Sequence, residues 1–415
     1  MAVFKSFKAL RPAKEKASAV AALPYDVVTE KEARFIGEKN PDSFLHIDRA
    51  EIDLPEDINP YDCVVYEKAS ETLKEMEKKG ILVQDGQPYY YLYELIRNQV
   101  SQTGMVGCCA IDDYRNNIIK KHELTREEKE QDRICHVDVC DANTGPIFLA
   151  CRYTEELLEF MNNWKKDHAP VYDFTAEDDV IHRVWVIENA EDIAWIQAEF
   201  EKIPSLYIAD GHHRAASAVK VGMKRRAANP DYTGEEEFNY FLSVVFPYEQ
   251  LTILPYQRVV ADLNGLTEKA FLSAVKFHYE LMLVPGFPCK PVEPHCMGMY
   301  LNGEWYHLKA WAETLEKRDV VGKLDVSLLQ DKILRPVLGI EDPRTSNRIQ
   351  FIGGNQSLKK LQEIADETGG VAFAMYPTSI EELMDIADEG KVMPPKSTWF
   401  EPKLRSGLFI HKLSE

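Results

Sequence analysis

The 415-residue chain has no run of 18 consecutive apolar residues, and its opening MAVFKSFKALRPAKEK holds no apolar stretch of signal-peptide length. A membrane-spanning helix is thereby excluded, and a soluble, unexported, cytoplasmic protein is expected. Basic residues are in deficit: 49 Lys and Arg stand against 68 Asp and Glu, a formal net charge of −19. Such a chain lacks the overall charge that attracts a polyanion, so neither nucleic acid nor a membrane is an expected partner. The local exception, Lys224-Arg225-Arg226, is three residues long. Cysteines number eight and form no CxxC pair and no secreted-scaffold spacing, so they read as reduced thiols. Cys135 and Cys140 flank His136, but the second short-spaced Cys/His pair that a tetrahedral zinc site needs does not follow. Internal repeats and low-complexity tracts are also missing, and 45% apolar residues with 21 Gly and 22 Pro exclude long disorder.

The length suffices for two or three domains. A helix is predicted over Tyr61–Lys79, where Val65, Ala69, Leu73 and Met76 recur on one face before Gly80. From residue 88 onward, short runs rich in aromatic and β-branched residues read as strands: 88–96, 103–112, 146–151, 182–188, 205–210, 238–246 and 253–260. Helical patterns at 153–165, 190–202 and 213–227 separate several of them. Beyond 260, a strand at 277–284 precedes a hairpin turning at Asn302-Gly303; strands at 348–354, 371–377 and 407–413 then alternate with two helices. The predicted class is mixed α/β (α+β), with residues 1–260 forming a phosphate-binding catalytic core and 261–415 a smaller αβ domain.

The most informative stretch is SLYIADGHHRAASA, residues 205–218. A strand runs through a Gly turn straight into a helix, which leaves unpaired amides and the positive end of the helix dipole facing outward. Such a terminus is a ready anion site. Gly211 permits a positive φ or close backbone approach, and Arg214 in the first turn can grip a phosphate with two donors. The plainer alternative is that Asp210 caps the helix and the histidines merely begin it. A cap needs one short polar side chain, however, and Asp210, His212, His213 and Arg214 in one turn go well beyond that need. The second cluster is IKKHELTREEKEQDR, residues 119–133. Thr125 and Glu128 have capping-box spacing, so a helix is predicted from Arg126, with His122 and Glu123 just ahead of it. Arg126, Lys129 and Arg133 would share one cationic face. Glu123 and Asp132 are candidate general bases or metal ligands if the fold brings them to one cleft. A solvated, salt-bridged surface helix involving Glu127 or Glu130 is the alternative. Lesser candidates are Tyr25-Asp26, Arg49-Ala50-Glu51, and a tail with Lys396, Ser397, Thr398 and Lys403, where turns, caps or a strand edge are the ordinary reading.

Five segments in this order, AALPYDVV (21–28), NPDSFLHIDRAE (40–51), IKKHELTREEKEQDR (119–133), LYIADGHHRAASA (206–218) and MPPKSTWFEPKLRSGL (393–408), resemble the bacterial and archaeal domain-of-unknown-function 1015 proteins across essentially the whole chain. The stretch SLYIADGHHRAASA alone resembles the phosphate-binding turn of the ParB and sulfiredoxin superfamily, which includes free-serine kinases. That resemblance implies a ParB/sulfiredoxin-like mixed-sheet core in which Gly211 and Arg214 bind phosphate. The chain departs from the pattern at His212, which stands where sulfiredoxins carry a cysteine, so thiol-based sulfinic acid repair is not implied. It also offers no helix-turn-helix or basic region to accompany ParB-type DNA segregation.

The resulting expectation is an enzyme of phosphate chemistry, a serine-kinase-like phosphotransferase or a phosphohydrolase, using a nucleotide or pyrophosphate with Mg2+ on a small phosphorylated metabolite. Asp210, His212, His213 and Glu123 are the expected catalytic residues: Glu123 or Asp210 to deprotonate the acceptor, His212 or His213 to neutralise charge or shuttle a proton. Gly211, Arg214, His122, Arg126 and Arg133 are the expected phosphate-binding residues. A nucleotide-sensing regulatory protein without turnover is the alternative. Whether the 120–133 and 210–214 clusters share one cleft is a matter for the tertiary structure.

Overall fold

A computed structural model describes every residue except 317 and 415. Met1–Leu251 and Pro402–Glu415 form one compact unit, and Thr252–Glu401, inserted in the sequence between them, forms a second. The division expected at 260/261 differs from this mainly in the tail, because residues 402–415 return to the first unit. They do so through long-range pairing: His411 pairs with Asn143, and isolated bridges join Leu10 to Ile410 and Ala22 to Ser406. Of the expected strand 407–413, His411–Lys412 is assigned as such.

The first unit is built on a nine-stranded mixed sheet: β1 (Phe4–Lys5), β2 (Tyr90–Arg97), β3 (Val100–Ala110), β4 (Ile119–Lys120), β5 (Ile147–Cys151), β6 (Tyr172–Thr175), β7 (Ile181–Ile187), β8 (Leu206–Asp210) and β9 (Tyr240–Pro247). Its order is β4-β8-β5-β9-β3-β2-β7-β6, with β1 paired to β3. β4 with β8 and β5 with β9 are parallel, and the remaining pairs are antiparallel. The principal helices of this unit are α1 (Glu30–Lys39), α2 (Cys63–Lys78), α3 (Glu127–Cys140), α4 (Glu155–Asp167), α5 (Ala190–Phe200) and α6 (His212–Ala228). Strand residues Leu92, Met105, Leu149, Ile187 and Phe241 form one core with Leu157 and Met161 of α4, Ile196 and Phe200 of α5, and Ala215 and Val219 of α6. Each large apolar side chain so buried contributes roughly 1.5–3 kcal/mol of transfer free energy. A second core gathers Ala33 of α1 and Val65, Ala69, Leu73 and Met76 of α2, the face predicted from periodicity, around Phe44, Leu45 and Ile47.

The second unit carries a six-stranded, wholly antiparallel sheet of β10 (Gln257–Val260), β11 (Tyr279–Val284), β12 (Cys296–Leu301), β13 (Glu304–Ala310), β14 (Ile349–Ile352) and β15 (Val371–Met375), in the order β11-β13-β12-β15-β10-β14. Asn302 and Gly303 close the β12–β13 hairpin at φ 47° and 86°, the left-handed pair that a two-residue turn requires. Among the described residues no helix is long and apolar enough to cross a membrane.

α6 lies so close to its neighbours that a Cβ on Gly222 would stand 2.4 Å from the Phe238 carbonyl oxygen and 2.8 Å from Ile111 Cδ1. Alanine is ordinarily the better helix former by about 1 kcal/mol. Here Gly222→Ala is expected instead to destabilise by roughly 2 kcal/mol through overpacking, a sign that urea denaturation reads directly.

Candidate functional site

β4 and β8 are neighbours, parallel and in register, Leu206 against Ile119 and Tyr207 against Lys120. The chain therefore leaves both strands at the same end of the sheet, and the residues after Lys120 meet those after Ile208. His122 is buried, and its ring hydrogen-bonds to the Ile208 backbone. The His122 and His212 rings lie edge to face with centroids 4.4 Å apart, and His122, Glu123 and His212 offer ligand atoms that all fall within 4.8 Å of one another. His213 Nε2 accepts a hydrogen bond from the Arg126 amide at 3.1 Å. The two clusters recognised in the sequence thus lie side by side.

The turn itself has the expected form. Gly211, at φ 93° and ψ 31°, is the N-cap of α6 and brings no side-chain acceptor to the helix terminus. Asp210 Oδ1 accepts from the Gly211 amide at 2.8 Å, and Oδ2 accepts from Lys403 Nζ at 2.6 Å. The Gly211 amide is therefore already engaged with its neighbour's carboxylate. The amides of the first turn of α6 remain the ones oriented for an anion. Lys403 comes from the Pro-rich tail, which the sequence marked as a lesser candidate.

Arg214 and Arg133 face elsewhere. Arg214 Nη2 donates to Asp48 Oδ2 at 2.9 Å and to Ser406 Oγ at 3.3 Å. Gly145 makes room for this guanidinium, since a Cβ there would stand 2.5 Å from Nη1. Arg133 pairs with Asp132 at 2.9 Å, and Tyr66 donates its hydroxyl to the same carboxylate at 3.0 Å. The Tyr25 ring lies 4.1 Å from the Arg133 guanidinium and 5.2 Å from that of Arg214, so one aromatic ring serves two cations. Arg49 holds the Tyr25 loop by donating to the Tyr25 and Val28 carbonyls at 2.9 and 2.8 Å. At the centre is Asp48, whose fully buried carboxylate also accepts from Thr144 Oγ1 at 2.9 Å. Burial by itself would raise this acid, but Arg214 and Arg133 hold it down at about 2. His136, beside the same group, is pulled down to about 4 by burial and by Arg133.

Two local expectations need correction. The helix starts at Glu127 with Arg126 as N-cap, and Thr125 donates to Glu130 Oε2 at 2.6 Å instead of completing a capping box with Glu128. Nor do Arg126, Lys129 and Arg133 form one cationic face. Arg126 precedes the helix, Lys129 reaches outward to the Tyr61 hydroxyl at 2.7 Å, and Arg133 turns inward to Asp132. Asp48 escaped the sequence reading. Its signal is an acidic residue closing the apolar run FLHI, unusual unless the carboxylate is buried with a partner.

Mg2+ takes oxygen ligands, whereas two of the three donor atoms offered by His122, Glu123 and His212 are imidazole nitrogens, so this cluster does not fit the expected magnesium ion. His136 hydrogen-bonds to the Ile47 carbonyl at 3.0 Å and lies 4.0 Å from Cys140 Sγ. Each member of the basic triplet is neutralised: Lys224 and Arg225 by Asp138 at 2.6 and 3.3 Å, Arg226 by Asp112 at 2.8 Å.

A family model described as "Protein of unknown function (DUF1015)" matches residues 4–327. No curated protein matches the chain. Among solved structures, a mutant free serine kinase in complex with AMP is similar with a TM-score of 0.36 and 14% identity, over 71% of this chain and 87% of that chain. SbnI with C-terminal truncation from Staphylococcus aureus gives 0.37 and 12% over 72% and 85%. A conserved hypothetical protein from Pyrococcus furiosus gives 0.35 and 13% over 73% and 93%. Likenesses this remote carry no activity across.

Removing the central carboxylate leaves the largely buried Arg214 guanidinium short of its anion, so Asp48→Asn is expected to cost about 3 kcal/mol in thermal or urea unfolding. Folded His136 stays neutral down to about pH 4, while an unfolded imidazole takes its proton near pH 6.5. The unfolded state therefore binds more protons in that interval, and stability should fall as pH is lowered from about 6.5 to 4. In His136→Gln that part of the pH slope should vanish, and an unchanged profile would show that the imidazole is protonated in the fold.

Proposed function

Because the chain belongs to the DUF1015 family, whose members share a sequence pattern and no assigned function, its activity must be argued from its own residues, and we propose an enzyme of phosphate chemistry on a small metabolite. A serine-kinase-like phosphotransferase, or a phosphohydrolase, using a nucleotide or pyrophosphate is the form we favour. The observation that supports it most is the meeting of Glu123 with the start of α6 at the end of two parallel strands. A phosphate seated there would receive the first-turn amides and the positive end of the helix dipole. Exposed Arg126, whose amide is tied to His213, adds a cation at the rim.

In this reading Glu123, half-buried at the turn, accepts the proton of an attacking hydroxyl, a contribution typically worth 10²–10⁴-fold. Asp210 sets the turn through the Gly211 amide and Lys403. Arg214 acts as a positioning residue: by holding Asp48 it fixes where α6 begins, and so where its amides point, while Arg133 adds positive charge near the same carboxylate. Phosphoryl transfer depends more on such positioning and charge neutralisation than on covalent participation.

The test is phosphorus NMR on protein incubated with ATP, ADP or pyrophosphate, with and without serine as the hydroxyl acceptor. Phosphorylated serine or a hydrolysed donor is expected, and Glu123→Gln should lower turnover by roughly 10²-fold or more with an unchanged unfolding midpoint. Nucleotide-dependent thermal stabilisation with no product from any donor would instead identify a nucleotide sensor. Full activity in the Glu123→Gln variant would remove the carboxylate from the mechanism.

A further inference from the structure

His122 and His212 are 2% and 6% exposed, and each keeps one ring nitrogen, Nδ1 and Nε2 respectively, buried without a hydrogen-bond partner. Unsatisfied buried nitrogens are costly, and two of them side by side call for an occupant. The His122 ring also hydrogen-bonds to the Ile208 backbone, the kind of contact that fixes direction in a ligating imidazole. Glu123 supplies a carboxylate from the adjoining residue, with all three ligand atoms within 4.8 Å of one another. Asp210 lies near His122 and favours a cation, while Lys121 near His212 opposes one. Two imidazoles and a carboxylate are the donors of zinc-type divalent ions, leaving coordination positions for water or a phosphate oxygen.

We propose that His122 Nδ1, His212 Nε2 and the Glu123 carboxylate bind one zinc-type divalent cation beside the start of α6. Metal–ligand distances near 2.0–2.2 Å would draw the three atoms together by about an ångström. The site rests on side-chain geometry and not on the phosphate reading, so the two can fail separately. Full-length protein stripped with a chelator and dialysed should take up one equivalent of Zn2+ or Co2+ by elemental analysis and calorimetry, and no Mg2+. Bound Co2+ should show visible bands without the near-ultraviolet charge transfer of a thiolate, which separates this site from the protein's cysteines. His122→Asn and His212→Asn should each weaken binding about 100-fold, and Glu123→Gln, the safest variant for folding, about tenfold. No uptake by the folded wild type, a thiolate spectrum, or undiminished binding in Glu123→Gln and in the folded histidine variants would overturn the site. Zinc binding with no phosphate product would retain the site and discard the phosphate reading.

A separate observation concerns the second unit. Arg258 on β10 is 3% exposed, donates to the Tyr256 and Lys396 carbonyls at 2.6 and 3.1 Å, and lies 5.3 Å from the Phe351 ring. Among the described residues no carboxylate pairs with it, and burial lowers it to about 10, so it is still a cation at neutral pH. With Phe351, Ser327 and Gln330 it lines a cavity of about 490 Å³, the size of a small-ligand site. Ser327 Oγ and Gln330 Oε1 are buried there without partners, and Gln330 opens a π-helical turn, Gln330–Leu334, of a kind frequent at functional sites. Carboxylates at the rim are already matched, Asp342 by Arg344 at 2.8 Å and Asp331 by Arg318 at 3.1 Å. We infer that this cavity receives a small organic anion, its carboxylate or phosphate on Arg258 and its donor groups on Ser327 and Gln330. Calorimetry with glycerate and with glycerol phosphate as separate arms should give saturable binding to the full chain in at least one, which identifies the anionic group. Arg258→Lys should weaken it about 10-fold or more, since a point charge replaces a fork, and Ser327→Ala a few-fold. Absence of binding in both arms, or affinity unchanged in the folded Ser327→Ala and Arg258→Lys proteins, would overturn it.

Discussion

The first unit is organised around one buried carboxylate. Asp48 has no exposed side-chain surface, and its two oxygens receive Thr144 and Arg214. Burying a charge is unfavourable unless geometry and hydrogen bonds offset the loss of water, and a partly matched ion is worse than none. Arg214, and through it the first turn of α6, is thereby held to a narrow range of positions. Tyr25, within reach of both guanidinium groups, and Ser406 from the tail complete the enclosure. Segments far apart in sequence thus converge on one charge, and the tail that supplies Ser406 also supplies Lys403 to Asp210.

The consequence for the site is a division of labour. Two of the arginines that a motif would assign to a ligand are engaged with carboxylates, Arg214 with Asp48 and Arg133 with Asp132, and Arg214 steadies the turn from behind. What lies ahead of the turn is less charged and more specific: backbone amides at a helix start, a half-buried carboxylate, and two buried imidazoles with unused nitrogens. Parallel pairing of β4 with β8 makes this possible, because parallel strands release their chains at the same edge of the sheet. An antiparallel pairing would have sent the two segments to opposite ends.

Much of this was legible in sequence where the cause is local. The helix over Cys63–Lys78, the Asn302-Gly303 turn and the strand-turn-helix at Gly211 each depend on residues within a few positions of one another. The capping box at Thr125 failed for a local reason too: its hydroxyl found Glu130, one turn further on, and Arg126 took the cap position. The cationic face failed for a partly tertiary one, since distant Tyr25 as well as neighbouring Asp132 drew Arg133 inward.

By itself the sequence determined the mixed α/β class, most of the elements and the chemical inventory of the two motifs, because periodicity, turn residues and composition act over short chain lengths. Tertiary structure alone decided what each charged group does. The partner of Arg214 is 166 residues away, the partner of Asp210 is 193 residues away, and His122 meets His212 through strand pairing that no local pattern encodes. A side chain's role depends on its partner and its exposure to water, and both are settled when distant segments pack.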